Sequence, residues 1–127
     1  MAEAPALQED IPHAAHPLEP LCADEIRAAV DKRGFILGLE DTFWLDQGGY
    51  VRPHGGAVSD LTAAMLPGPY VIPAYRCTGH IRLTNKTPAG TYRAPGRFES
   101  TFVREQLIDA VAAELGMDRI TVRRRNL

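Results

Sequence analysis

Between Tyr75 and Leu115 the hydrophobic repeat of the chain changes once, from every second residue to the spacing of a helix. Tyr75, Cys77, Gly79, Ile81 and Leu83 alternate with Arg76, Thr78, His80 and Arg82. A repeat of two sends successive side chains to opposite faces, so the stretch predicts a half-exposed strand with the first set turned inward. Farther on, Phe98, Phe102, Leu107, Val111 and Leu115 recur as one apolar stripe of a helix. Glu99 suits the positive end of that helix, and Gly116 can take the left-handed backbone that stops it. The strand and the helix each present an apolar face, which other segments would cover.

The preceding half supplies the rest of a small α+β unit. Ile26, Ala28 and Val30 alternate, although the Ala content of residues 23–30 also suits a helix. Asp31-Lys32-Arg33-Gly34 is turn chemistry, and Phe35 to Leu39 reads as a second strand, so Ile26 to Trp44 predicts a β-hairpin. Gly48-Gly49 and Gly55-Gly56 bracket an expected flexible loop, in which Asp46 and Gln47 are candidates for a positioning role. Ser59 or Asp60 can cap a short helix through Met65, stopped at Pro67-Gly68-Pro69, and Asp118 a final turn through Val122. The expected order is hairpin, short helix, strand, then the amphipathic C-terminal helix.

Bulk properties exclude several classes. The 127 residues suffice for one small domain, and 45% hydrophobic with 24% charged residues is globular rather than disordered. A formal charge of −2 favours neither nucleic acid nor an anionic membrane, and no apolar run reaches bilayer length. Residues 1–20 contain Pro5, Pro12, Pro17 and Pro20 without a basic-then-apolar leader pattern, so a cytoplasmic location with Cys22 and Cys77 reduced is expected. His13 and His16 sit in that Pro-rich stretch with no further ligand nearby, so no metal site is assigned. Phe43, Trp44 and Tyr50 are read as core aromatics, Cys77 as a small core residue, and Arg123-Arg124-Arg125 as a solvated face. No catalytic residue is assigned. Nucleotide, metalloprotease and serine-hydrolase motifs are missing from the sequence.

The segment Leu83 to Glu99 is the most informative. Its Gly-bearing loop opens a helix and carries Lys86, Arg93 and Arg97, a combination that can hold an anion or merely face water. The string TNKTPAGTYRAPGRFE resembles the loop beside the molybdenum centre in large subunits of the xanthine dehydrogenase/aldehyde oxidase family, the molybdenum hydroxylases. GFILGLEDTFWLDQGGYVRPHG, MLPGPYVIPAYRC and FVREQLIDAVAAELGMDRITVRRRNL are similar to the flanks of that loop, in the same order. The resemblance covers Val30 to Leu127 and leaves residues 1–29 as an unmatched, Pro-rich segment.

The resemblance implies that residues 30–127 are part of a larger molybdopterin-binding domain. It puts Arg93 against the cofactor, with Thr91, Tyr92, Ala94 and Gly96 near the same centre. It further implies molybdenum on molybdopterin, as the cytosine dinucleotide form, and hydroxylation of a carbon centre of a small organic substrate with oxygen from water. Electrons would leave through iron–sulfur clusters and FAD on partner subunits or domains, and the remainder of the large subunit would complete the site. Members acting on carbon monoxide carry Cys where this chain has Ala94, and those acting on purines carry Phe where it has Pro95, so neither substrate is expected. A fragment of this kind is expected to be inactive alone. The other reading is a non-catalytic anion-binding or interaction module, or a gene remnant.

Overall fold

A computed structural model of the chain describes residues 22–91 and 93–127. Three strands form one sheet in the order β1-β2-β3: β1 is Cys22–Val30, β2 is Ile36–Asp46 and β3 is Ala74–Arg82. Helix α1 covers Pro53–Met65, α2 Arg97–Glu114 and α3 Arg119–Arg125. The architecture is α+β, as expected.

The hairpin follows from its turn. Asp31 Oδ1 accepts the amides of Arg33 and Phe35, each at 2.9 Å, and Gly34 supplies φ +85°. The reversal pairs β1 with β2 in antiparallel register, Ile26 opposite Asp41 and Ala28 opposite Leu39. Residues 23–30 are thus strand, not helix, and the division expected after residue 29 falls within this element. β3 joins the other side of β2 in parallel, with Leu39 beside Tyr75 and Leu45 beside Ile81. A parallel neighbour needs a crossover, which α1 provides.

One face of the sheet carries the core. Ile26, Ala28, Ile36 and Leu39 pack with Leu66 of the α1–β3 connection, with Val103, Leu107, Ile108, Val111 and Ala112 of α2, and with Val122 of α3. Asn126 ties the C-terminal end to the hairpin: its side chain accepts the Ile36 amide at 2.7 Å and donates to the carbonyls of Gly34 and Val122, both at 2.8 Å.

Four expectations need correction. Helix α1 begins at Pro53, ahead of Ser59 and Asp60, so Gly55 and Gly56 are helical and not loop. Proline is suited to the first helical position, where its missing N–H has no intrahelical acceptor anyway. Strand β3 is exposed on both faces, with only Cys77 half-buried, and it lies outside the core cluster, whose strand residues come from β1 and β2. The buried stripe of α2 is also rotated: Phe98 and Phe102 are exposed, while Ser100, Val103 and Arg104 are buried. Within the buried stripe the Arg104 guanidinium lies against Gly68 and donates to the carbonyls of Met65 and Leu66, at the end of α1, at 3.0 and 3.3 Å. Finally, of the aromatics read as core only Phe43 is buried; Trp44 stacks on His80 at 5.4 Å and Tyr50 is exposed.

Candidate functional site

Because β2 and β3 run parallel, their carboxyl ends lie at the same edge of the sheet, and the segments leaving them meet there. Asp46-Gln47-Gly48-Gly49 leaves β2, and the loop from Leu83 to Gly96 leaves β3. Four backbone bonds join them: Gln47 N to Arg82 O at 2.8 Å, Thr84 N to Gly48 O at 2.9 Å, and Gly49 N to Lys86 O and Ala89 N to Gln47 O at 3.0 Å each. Gly48 is required here. It has φ +70°, and a Cβ at that position would lie 2.4 Å from the Thr87 carbonyl oxygen.

Asp46 fastens the same junction with its side chain. The carboxylate accepts from the Gly48 amide and the Thr84 hydroxyl at 2.8 Å and pairs with Lys86 Nζ at 3.1 Å. The Gly48 hydrogen bond, then the Thr84 hydroxyl and Lys86, hold its acid form below the usual carboxylate range. The positioning role considered for Asp46 thus corresponds to a definite contact set. Gln47 is buried; Nε2 donates to the Gly55 carbonyl at 2.9 Å, and Oε1 has no partner among the described residues.

The base of the loop is therefore pinned. Thr91 and Ala94 are half-buried, Arg93 is exposed and Gly96 is buried, so these four candidates lie on one short segment. Tyr92 lies outside the described residues. Ala94 adopts φ +50°, a conformation uncommon for a residue with a Cβ, and Gly96 follows at φ +74° as the N-cap of α2. A Cβ on Gly96 would sit 2.5 Å from the Thr62 amide nitrogen, so α2 begins in contact with α1. The first turn of α2 has no side-chain cap, and Glu99 within it opposes the positive helix end only in part.

The three cations of the loop do not act alike. Lys86 is drawn back to Asp46, whereas Arg93 and Arg97 are exposed and make no ion pair among the described residues. Sequence reasoning missed Arg52: the Nη1 atom of this N-cap residue of α1 lies 3.5 Å from where a Cβ on Gly90 would be. Nothing local marks Arg52, because its approach to the loop depends on how α1 packs. An edge with exposed guanidiniums and two helix starts without side-chain caps can receive a large anionic group. Among the described residues no three His, Cys, Asp or Glu side chains are grouped to hold a metal ion.

The family model described as the molybdopterin cofactor-binding domain matches residues 17–127. The chain belongs to that family. It is 48% identical over 103 residues to the gamma subunit of the 6-hydroxypseudooxynicotine dehydrogenase complex of Paenarthrobacter nicotinovorans, covering 81% of this chain and 13% of that one. It is 33% identical to the nicotine 6-hydroxylase large subunit of the same organism, over 80% of this chain and 13% of that subunit. Among solved structures, quinoline 2-oxidoreductase from Pseudomonas putida 86 superposes with a TM-score of 0.77 at 34% identity, covering 84% of this chain and 14% of the other. Aldehyde oxidoreductase from Desulfovibrio gigas also gives 0.77, at 30% identity, with 83% and 12% covered. The chain thus corresponds to a small portion of a molybdenum hydroxylase large subunit. The exposed, donor-rich loop edge fits the family's cofactor, which is large and anionic.

Proposed function

We propose that residues 30–127 form one wall of the molybdenum-cofactor site in a hydroxylase that transfers water-derived oxygen to a carbon centre of a small organic substrate. Arg93 faces the anionic cofactor, and Thr91, Tyr92, Ala94 and Gly96 shape the backbone beside it. The observation that carries this reading is the pairing of a fixed loop base, bonded at four backbone positions and through Asp46, with an exposed Arg93 whose charge no described residue neutralises. The cofactor, read here as the molybdopterin cytosine dinucleotide, supplies the oxygen-transfer and electron-accepting chemistry. The chain contributes position and charge: Arg93 and Arg52 attract and orient the anion beside a loop whose base is fixed.

Other segments of a large subunit complete the site, iron–sulfur and FAD-bearing partners take the electrons, and the complex works in the cytoplasm. Residues 22–29 belong to the same unit, since β1 pairs with β2 and gives Ile26 and Ala28 to the core. Catalysis by these 127 residues alone is not expected, since one loop cannot surround the cofactor. Among the described residues no helix is long and apolar enough to cross a membrane.

The test is an Arg93→Ala and Arg93→Lys pair in the assembled enzyme, read by molybdenum content and turnover, together with elemental analysis of the isolated chain. Loss of cofactor or turnover with Ala, partial recovery with Lys, and an isolated chain without stoichiometric molybdenum are expected. Full activity of Arg93→Ala removes Arg93 from the site. About one molybdenum per isolated chain would show that the segment needs no companion.

A further inference from the structure

The charge of this chain is divided along its length. Residues 1–21 contain Glu3, Glu9, Asp10 and Glu19 and no Lys or Arg, a formal charge of −4. All 14 Lys and Arg, with the remaining twelve of the 16 Asp and Glu, lie in residues 22–127, which are left at +2. Glu3, Glu9 and Asp10 also precede residue 17, where the family match begins. Most of the acidic stretch is thus an addition to the family segment.

The fold brings this stretch in at one place. Strand β1 is antiparallel to β2 and starts opposite its end, with Cys22 paired to Leu45. Residue 21 therefore joins the sheet beside Asp46, at the edge from which residues 47–49 and the loop 83–96 depart. That edge also holds cations the fold leaves unpaired. Arg52, Arg93 and Arg97 are exposed and make no ion pair among the described residues. Their backbones adjoin. Arg52 Nη1 lies 3.5 Å from where a Cβ on Gly90 would be, and the Arg97 amide donates to the Ala94 carbonyl at 3.0 Å. Gly96, between Arg93 and Arg97, rests on Thr62 of α1, the helix that Arg52 opens. Of the acids at this edge, Asp46 is already engaged by Lys86, and Glu99 is half-buried in the first turn of α2.

We propose that the acidic segment 1–21 docks across this cationic edge of its own chain and shields Arg52, Arg93 and Arg97 from other anions. Reach does not limit the contact. An extended chain spans about 3.3–3.6 Å per residue, so Glu19 reaches about 10 Å from Cys22 and Asp10 about 40 Å. Each exposed ion pair contributes little alone. The tether, however, keeps the acids at an effective concentration on the order of millimolar, so a free anion has to compete with them. That the natural competitor is the molybdenum cofactor rests on the function proposed above, whereas the docking rests on charge and point of entry.

The test uses the full chain and inorganic pyrophosphate in low salt at about pH 8, where His13 and His16 are largely neutral. In one variant Glu3→Gln, Glu9→Gln, Asp10→Asn and Glu19→Gln remove four negative charges without touching the sheet or the helices. Calorimetry should find pyrophosphate bound at least about five-fold more tightly by this variant, and about 0.3 M salt should remove most of the gain. In NMR spectra the amides of Gly90, Ala94 and Arg97 should shift on neutralisation, while those of Leu107 and Val111 stay in place. A control variant with Glu25→Gln, Glu40→Gln, Asp60→Asn and Glu114→Gln changes the net charge equally at exposed positions elsewhere. Equal affinity of the first variant and the native chain, an equal gain in the control, or unmoved loop amides overturns the proposal. None of these readouts involves molybdenum, so failure of the docking is distinct from failure of the cofactor reading.

Discussion

Replacing Asn126 with Ala should be among the most damaging single changes in this chain, although the position is next to last in the sequence. Its side chain is 3% exposed and bonds three backbone groups in two distant parts of the fold. Truncation strands the Ile36 amide and the Gly34 carbonyl, both in buried residues. Leaving a buried polar group unsatisfied costs about 1–3 kcal/mol, so the two together cost about 2–6 kcal/mol. The Val122 carbonyl, in a residue 0% exposed, loses its side-chain donor as well and adds to this cost. Against a typical total of about 5–15 kcal/mol, this is a large fraction. In urea, followed by Trp44 fluorescence, the midpoint should fall by more than about 0.7 M for a slope of about 1–3 kcal/mol/M. Asn126→Asp separates the contributions: it keeps the acceptor for Ile36 but turns a carboxylate toward two carbonyls, and should be no better than Ala. A midpoint shift below about 0.3 M in Asn126→Ala would refute the reasoning, and near-normal stability of Asn126→Asp would show that only the Ile36 bond matters.

Gly96→Ala should destabilise the chain by at least about 1–2 kcal/mol from the left-handed backbone alone, before its clash with Thr62; an unchanged urea midpoint would contradict this. Asp46→Ala should speed amide exchange at Gly48 and Lys86 by ten-fold or more while leaving exchange at Leu107 and Val111 unaltered, because it releases the loop base and not the core. Equal acceleration at all four amides would mean that Asp46 supports the whole fold.

What was legible in the sequence is what local chemistry determines. The turn at Asp31–Gly34 is set by a side chain bonding amides two and four residues away, and the stop of α2 by Gly116 at φ +61°. The Asp118 cap of α3 is equally local, its carboxylate accepting the Thr121 amide at 2.8 Å. Where the reading failed, the deciding partner was remote. Gly55 looks like loop punctuation, yet it is helical with its α-carbon against Gln47, and a Cβ there would come 2.4 Å from Oε1. The buried stripe of α2 includes Arg104, a charge no apolar repeat would mark, whose guanidinium donates to two carbonyls at the end of α1. Arg93, Thr91, Ala94 and Gly96 could be placed on one segment from their order alone. The approach of Arg52 and the fastening by Asp46 could not, since both depend on the parallel register of β3 with β2.

That register also allows change. Two anchors hold the loop, the bonded ladder from Thr84 to Ala89 and the seat of Gly96 on α1, and between them only the tip from Gly90 to Pro95 lies outside the anchors. The tip behaves as an exchangeable cassette. Residues such as Ala94 and Pro95 can be swapped, and the chemistry offered at the sheet edge altered, without asking the core to repack. A change confined to the tip leaves the strands, the helices and both anchors as they are.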